Sequence, residues 1–492
     1  MSNILSKNVD FVNGKTPPID FIVAASESMI SPAQAETHQQ EHDITEFFLK
    51  QGPHDEGNAQ SVHRHHDGKF AYNSATGWVV FAGKKWVLDG AEALLDRAII
   101  QTLEQRARAV IDSGEMERYA KILKKCVPSA GTLNGTKSLL QSLSYSGVDE
   151  FDSDPDRLNC LNGVVDLRTG KITPHSPKTK FMHCVNAEYK PNADQSFWVN
   201  WLIGAVGKEQ AEYLQLAAGY TATGHTREEV LFYLFGPSRS GKGTFTETLK
   251  ELFGKPLAEE VTFSTFTAQR SGDSQNFDLA PLKPCRYVAA SESNSYERFN
   301  DAKVKALTGG NEIYCAFKHR SHFSYKPQFK IWLSSNHPVN ADPDDDAVWG
   351  RVRVIEFPNS NLGREDKSLK YRMRSRDVLE GVLAWVVEGA RKWYALGAAG
   401  LPEPESSRQT KKKQRGELDN VQAWIDECCT TGEFCAGSVL YLSYEKWCRD
   451  NGVEPKKQKG FSQTLERKGF ASKRTTTADR KTVRGFEGLN LL

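Results

Sequence analysis

Apolar and polar positions along the chain fall into blocks with two different periods. The six residues Val230 to Phe235 are apolar without interruption and end abruptly at Gly236. A run of that length reads as a strand buried on both faces. Three more buried-strand candidates follow: Arg286 to Ala290, Phe329 to Leu333, and Val352 to Phe357, the last stopped by Pro358. Helical spacing alternates with them. Thr244 to Phe253 is stopped by Gly254 in the C-cap place. Arg376 to about Leu396 sets Leu379, Val382, Leu383, Val386, Val387, Ala390 and Trp393 on one stripe. Buried strands alternating with helices predict an α/β domain with a mainly parallel sheet, whose ligands bind at the carboxyl ends of the strands.

Ahead of this domain the pattern is mixed α+β. Residues 1–42 are polar, carry Pro17-Pro18, and read as a flexible tail with at most one ordered segment, Phe21 to Ala24. The pattern predicts a short helix over Asp43 to Lys50 and a solvated loop at His63-Arg64-His65-His66. Two strands are expected about the Gly83-Lys84 turn between Trp78 and Trp86, then a helix from Ala91 to about Lys125. Leu158 to Gly170 holds two apolar segments separated by Asn162-Gly163, which predicts a β-hairpin. Helices over Trp198 to Val206 and Glu209 to Tyr220, broken at Gly207, lead into the first buried strand.

Behind the α/β domain, Pro402-Glu403-Pro404 and the basic run Lys411-Lys412-Lys413 mark a linker. Leu440, Tyr441, Tyr444, Trp447 and Cys448 then share a helical face, capped by Asn451-Gly452. A second helix turns Phe461 and Leu465 inward and ends at Gly469, and Phe470 to Phe486 reads as a basic hairpin. Helix, helix, hairpin is the winged-helix order, a variant of the helix-turn-helix. The expected division is a tail (1–42), an N-terminal α+β oligomerisation region (43–220), an ATPase core (221–400), a linker (401–418) and a DNA-binding module (419–492).

Composition changes this picture in two places. The formal charge is only +2, from 64 Lys+Arg against 62 Asp+Glu, so a nucleic-acid role rests on local patches rather than on a global field. Such patches exist in the last block. Lys456, Lys457, Lys459, Gln463 and Arg467 are expected to face out from the second helix, and Lys473, Arg474, Arg480, Lys481 and Arg484 to lie on the hairpin. The nine cysteines include no Cys-x-x-Cys pair, which argues against a zinc ribbon or disulfide framework and for a reducing cytosol. The spacing of Cys428, Cys429, Cys435 and Cys448 suits core thiols better than a metal. No run of eighteen apolar residues and no signal-peptide pattern occurs, so a soluble, intracellular protein is expected.

The chemistry begins where the first buried strand stops. Gly236-Pro237-Ser238-Arg239-Ser240-Gly241-Lys242-Gly243-Thr244 has the glycine and lysine spacing of a phosphate-binding loop. Glycines let backbone amides converge on a phosphate, Lys242 reaches the terminal phosphates, and the following helix turns its N-terminal dipole to the anion. The residue after the lysine, normally the Mg²⁺-holding hydroxyl, is Gly243, and the hydroxyl comes one place later at Thr244. Nucleotide hydrolysis also needs a group to polarise water and one to sense the γ-phosphate. Glu292, just past the second buried strand, suits the first task, and Asn336, past the third, suits the second. Ser291 joins Thr244 as a metal-ligand candidate, acting through water. Between Glu292 and Asn336, Ile313 to Phe323 forms a hairpin-like segment whose tip, Lys318-His319-Arg320, suits a nucleic-acid backbone.

Taken in order, Gly236 to Thr244, Ser291-Glu292, Leu307-Thr308-Gly309-Gly310, Ser334-Ser335-Asn336 and Trp349-Gly350-Arg351-Val352-Arg353 resemble superfamily 3 helicases. The likeness is to the phage and plasmid primase–helicase family, related to the poxvirus helicase–primase, and it covers roughly residues 45 to 492. It implies a P-loop NTPase (AAA+-like) core with an α+β N-terminal region and a C-terminal winged helix, in a hexameric ring with ATP and Mg²⁺ between subunits. The phosphate loop and Glu292 would serve from one subunit. An arginine finger would come from the next, Arg351 fitting that place best and Arg353 second. Lys318-His319-Arg320 would form the central-channel hairpin, tracking single-stranded or forked DNA 3′ to 5′ in a phage or mobile element, in the host cytoplasm. The short N-terminal region, without an acidic Asp-x-Asp or Asp-x-Glu motif on an apolar strand, implies no primase–polymerase domain, so a separate primase or initiator is an expected partner. An origin-binding initiator using ATP as an assembly switch is the alternative. A small nucleotide kinase, suggested by Gly-Lys-Gly-Thr alone, leaves the basic hairpin and last block unexplained.

Overall fold

The computed structural model describes residues 42–492 apart from 268–275, 292–297, 318–321, 365 and 477–481. The chain divides into two compact units, Met1–Phe151 and Asp152–Leu492.

In the first unit a helix over residues 42–50 (α1) is followed by α2 (Asp55–His65), a three-stranded antiparallel meander β1 (Phe70–Asn73), β2 (Gly77–Phe81) and β3 (Trp86–Val87), then α3 (Ala91–Asp112), α4 (Ala120–Lys125) and α5 (Ala130–Leu143). Val62, Trp78, Val80, Leu95, Ile99, Leu103 and Leu140 form its core. The long helix expected from Ala91 to Lys125 ends at Asp112, with Gly114 beyond it at φ 69. Arg106 is fully buried. Its guanidinium donates to Asn58 Oδ1 at 2.6 Å, Gln51 O at 2.6 Å and Gly52 O at 2.8 Å, tying α3 to the α1–α2 turn. The histidines expected on a solvated loop belong to α2 and its C-cap. His66 lies against Phe70 and within 3.2 Å of Thr102 Oγ1, and burial lowers its pKa to about 4.

The second unit opens with the expected hairpin, β4 (Arg157–Cys160) and β5 (Gly163–Asp166), extended by β6 (Ile172–Thr173). Helices α6 (Ser196–Val206) and α7 (Lys208–Ala222) precede β7 (Leu231–Phe235), α8 (Lys242–Phe253), β8 (Ala258–Thr262), β9 (Tyr287–Ser291) and α9 (Asp301–Thr308). A hairpin β10 (Ile313–Ala316) and β11 (His322–Tyr325) comes next, then β12 (Lys330–Ser335), α10 (Asp346–Arg351) and β13 (Val352–Glu356). Strands β7, β8, β9, β12 and β13 form one wholly parallel sheet in the order β13-β7-β12-β9-β8. The apolar runs are buried as their lack of alternation requires: Leu231, Phe232, Tyr233 and Leu234 are at most 1% exposed.

After β13 come α11 (Leu369–Met373) and α12 (Arg376–Leu396), whose predicted stripe is buried along its whole length. Helix α12 crosses α7 at backbone contact. A Cβ on Gly219 would fall 2.0 Å from Ala390 N, and one on Gly389 2.0 Å from Gln215 O. Glycine on both partners is what allows that approach. The stretch read as a linker is helical, α13 (Glu405–Glu417). The last block follows as α14 (Asn420–Cys428), β14 (Cys429–Thr430), β15 (Phe434–Ala436), α15 (Gly437–Asp450), α16 (Gln458–Arg467), β16 (Ser472–Thr476), β17 (Thr482–Glu487) and β18 (Asn490–Leu491). Its three-stranded sheet runs β15-β17-β16, and Trp424, Leu440, Tyr444, Cys448, Phe461, Leu465 and Phe486 form a separate core.

Candidate nucleotide and nucleic-acid sites

The carboxyl end of β7 is the place where the sheet, the glycine loop and α8 converge. Gly236 leaves the strand at φ 148, and a Cβ there would lie 2.1 Å from Phe357 O. No side chain fits, so the loop can only start with glycine. Arg239 at φ 61 and Gly241 at φ 105 complete its turn into α8. Segment 360–361 holds the loop from outside the sheet: Ser360 Oγ donates to Ser238 O at 2.9 Å, and Asn361 N to Arg239 O at 3.0 Å.

Lys242, the first residue of α8, is only 6% exposed. Its ammonium donates to Gly236 O at 2.6 Å, Pro237 O at 2.8 Å, Asn336 Oδ1 at 3.0 Å and Ser240 Oγ at 3.2 Å. All four acceptors are neutral. Burial without a counter-charge therefore lowers the lysine pKa to about 8. An anion placed beside this ammonium would reverse that shift, so the cradle suits a phosphate. Asn336, immediately after β12, bridges the site, since its Nδ2 also donates to Ser238 Oγ at 3.3 Å. Thr244, one turn into α8, is half-buried. Glu247, a turn further on, is held by Lys370 at 2.7 Å and Arg374 at 3.3 Å. Ser291 closes β9 in register with Ser334 of β12, so its end of the strand lies beside the strand that leads to Asn336.

The structure thus brings Lys242, Asn336 and the loop Gly236–Gly241 together. Glu292 lies outside the described residues. Arg351 stands elsewhere in the same sheet: it closes α10, and Val352 pairs with Leu231 at the start of β7, whereas the glycine loop follows Phe235 at its end. The separation is about 16 Å of strand. There Arg351 ion-pairs with Glu229 at 2.7 Å and donates to Ala347 O at 3.0 Å, while Arg353 Nη1 donates to Gly350 O at 2.5 Å. Glu229, Ser360 and Asn361 carry no motif and were silent in the sequence.

Two surfaces were expected from the sequence to contact nucleic acid. Lys318, His319 and Arg320 lie outside the described residues, but the hairpin that leads to them is clear: Ile313 pairs with Tyr325 and Ala316 with His322. It carries aromatic rings that the charge pattern concealed. Tyr314, 62% exposed, stacks on His322 with centroids 4.9 Å apart, and Phe317, 42% exposed, stacks on Phe323 at 5.7 Å. In the last block Lys457 and Lys459 are exposed at the start of α16, and Lys473 and Arg474 are exposed on β16. Lys473 pairs with Glu487, and Arg484 with Glu466 at 2.9 Å. Arg480 and Lys481 lie outside the described residues. Lys456 and Arg467 are engaged by Asp344: Lys456 Nζ at 2.5 Å from its carboxylate, and Arg467 Nη1 donating to its carbonyl at 3.0 Å. Among the described residues no group of three His, Cys, Asp or Glu could hold a metal, and no helix is long and apolar enough to cross a membrane.

Comparison with known proteins gives these segments relatives. Residues 59–207 match the D5 N terminal like family, 234–351 a family of unknown function, and 417–486 the Poxvirus D5 protein-like family. "Putative helicase L207/L206" of Acanthamoeba polyphaga mimivirus is 24% identical over 431 residues, 78% of this chain and 44% of that protein. "Putative helicase 121R" of Invertebrate iridescent virus 3 is 26% identical over 388 residues, covering 70% and 40%. "Putative helicase 022R" of Frog virus 3 is 31% identical over 150 residues, covering 29% and 15%. The chain thus spans less than half the length of these relatives. Among solved structures, the apo C-terminal region of NrS-1 superposes with a TM-score of 0.40 at 14% identity, over 61% of this chain and 78% of that one. D5-type segments stand on both sides of the glycine loop, and together with these viral relatives they fit a protein of the poxvirus D5-like primase–helicase family.

Proposed function

We propose that this protein is an ATP-dependent DNA helicase that serves replication of a phage, virus or mobile element, with its nucleotide site at the carboxyl end of β7. The observation that carries the reading is the Lys242 ammonium, buried among neutral acceptors beside Asn336 at the end of a parallel sheet. Bound ATP with Mg²⁺ supplies a scissile phosphoanhydride and a metal that neutralises its charge. Lys242 would take the terminal phosphates in place of its carbonyl partners. Asn336 would orient the group next to them, Thr244 would hold the metal with Ser291 reaching it through water, and Glu292 would polarise the attacking water. The core is then a P-loop NTPase of the superfamily 3 type.

Arg351 sits about 16 Å of strand from its own glycine loop. That distance supports service to a neighbouring subunit, hence a ring, with six copies and 3′ to 5′ movement as in the superfamily it resembles. The β10–β11 hairpin offers a basic tip and stacked aromatic rings, the combination that grips single strands without reading sequence. The last block, with its β15-β17-β16 sheet behind two helices, fits a winged helix that contacts DNA through α16 and the β16–β17 hairpin. The test is ATP hydrolysis with and without single-stranded DNA, for wild type, Lys242→Ala and Glu292→Gln. Hydrolysis stimulated by DNA in the wild type and lost in both variants is expected; undiminished hydrolysis by Lys242→Ala would remove the site from the motor.

A further inference from the structure

Between Asn336 and Arg351 the chain runs Ala341-Asp342-Pro343-Asp344-Asp345-Asp346, four carboxylates in five residues. A solvated face is the usual fate of such a run. Here every carboxylate has a cation from a different part of the fold. Asp342 takes Arg298 at 3.2 Å and Lys456 at 3.3 Å, Asp345 takes Lys305 at 2.7 Å, and Asp346 takes Arg415 of α13 at 2.5 Å. Asp344 is turned wholly to the C-terminal module. Its carboxylate receives Lys456 Nζ at 2.5 Å and Thr464 Oγ1 at 2.6 Å, with Arg467 at 3.6 Å. Burial pushes the Asp344 carboxyl up, but its bonds to Lys456 and Thr464 more than offset this and leave it below the ordinary carboxylate range.

Lys456, Thr464 and Arg467 lie along one stripe at the start and on the face of α16, the helix that the module's order assigns to DNA. Their contacts with Asp342 and Asp344 are hydrogen bonds and ion pairs. The core cluster around Tyr233, Val348 and Trp349 and the module's own cluster around Trp424, Tyr444 and Phe461 share no side chain. A joint made of ion pairs between two separate cores yields to a competing polyanion, and domains joined in this way move as their default.

We propose that the loop Asp342–Asp346 is an electrostatic latch. It occupies, within the same chain, the cationic stripe of α16 that otherwise takes DNA phosphates, and DNA displaces it. Because the loop follows Asn336 and Asp345 caps α10, which ends at Arg351, release of the latch links DNA engagement to both ends of the nucleotide machinery. The inference rests on the reading that the C-terminal module binds nucleic acid.

The test uses the full chain and a fluorescent duplex of random sequence, with anisotropy read across a salt series. Asp342→Asn with Asp344→Asn keeps an acceptor for Thr464 but removes the charge. A latch closed about nine-tenths of the time lowers apparent affinity about tenfold, so the double variant should bind about tenfold tighter. Its log–log salt slope should steepen by about 2, for two freed cations. Adding Lys456→Ala and Arg467→Ala should cancel the gain. Equal or weaker binding by the double variant overturns the latch and makes the joint a fixed strut. Hydrogen exchange over residues 339–346 of the wild type gives a second readout that needs no variant: faster exchange with saturating duplex is expected, and unchanged or slower exchange overturns the proposal. DNA-stimulated hydrolysis is independent of both readouts, so its loss in the wild type would strike the helicase reading and not the latch.

Discussion

Replacing Asn336 by aspartate changes one atom and reverses the electrostatics of the proposed nucleotide site. Asn336 Oδ1 accepts from the Lys242 ammonium at 3.0 Å, in a place where all four acceptors are neutral and the lysine is 6% exposed. A carboxylate at that distance gives the ammonium the counter-charge that it lacks. A pair of unit charges 3–4 Å apart is worth roughly 4–5 kcal/mol in an effective dielectric of 20, of which desolvation and solvent screening leave a net gain of about 1 kcal/mol, since Asn336 is itself exposed. Asn336→Asp is therefore expected to raise the melting temperature of the free protein slightly. The same carboxylate would face the terminal phosphate at about 4 Å, a repulsion of roughly 4 kcal/mol per charge pair, or about 10³-fold in affinity. Thermal melts and titration with a non-hydrolysable ATP analogue measure the two effects on one sample. Opposite signs, a more stable free protein and nucleotide binding weakened by two orders of magnitude or more, are the expected result. Unchanged nucleotide affinity in Asn336→Asp would refute the placement of the phosphate beside Lys242.

Other consequences follow from the same geometry. Burial lowers the Lys242 pKa to about 8, and a phosphate would raise it again, so nucleotide binding between about pH 8 and 10 should take up protons; calorimetry in buffers of different ionisation enthalpy reads this directly. Gly236→Ala should abolish nucleotide binding and lower stability, because the new methyl group meets Phe357 O at 2.1 Å; a melt unchanged from wild type would contradict it. Tyr314→Ala should weaken single-strand binding by about 1–3 kcal/mol with little change in salt slope, the mark of a lost stacking partner rather than a lost charge. In the N-terminal unit, His66 is held neutral with its pKa lowered to about 4 against an unfolded value near 6.5. The stability that this gives is complete above about pH 6.5 and is lost as pH falls towards 4. His66→Gln should flatten that acid limb in urea melts followed by tryptophan fluorescence.

How much of this was legible depended on whether a signal was local. Strand β7 showed in the sequence because burial on both faces writes itself as an uninterrupted apolar run, and β9, β12 and β13 kept enough buried apolar positions beside Lys330 and Arg353 to show as well. Strand β8, Ala-Glu-Glu-Val-Thr, did not, since it carries only two apolar residues and buries only Ala258. Helix α13 was invisible as structure because it packs with Ser407 and Gln414 rather than with an apolar stripe. The turn after β7 was legible as a backbone feature, because Gly236 and Gly241 take positive φ that glycine alone adopts freely. His65 and His66 were not, because Phe48, Phe70 and Thr102 reach them from distant segments. The acidic loop carries no motif and was passed over in the sequence, because its partners Lys456, Thr464 and Arg467 come to Asp344 from over a hundred residues away.

Strand displacement on forked DNA tests the central claim most directly. The wild type with ATP should separate the fork from a 3′ single-stranded tail, and Lys242→Ala, in which the buried ammonium is gone, should bind the fork and leave it paired. Unwinding by Lys242→Ala at the wild-type rate would contradict the account.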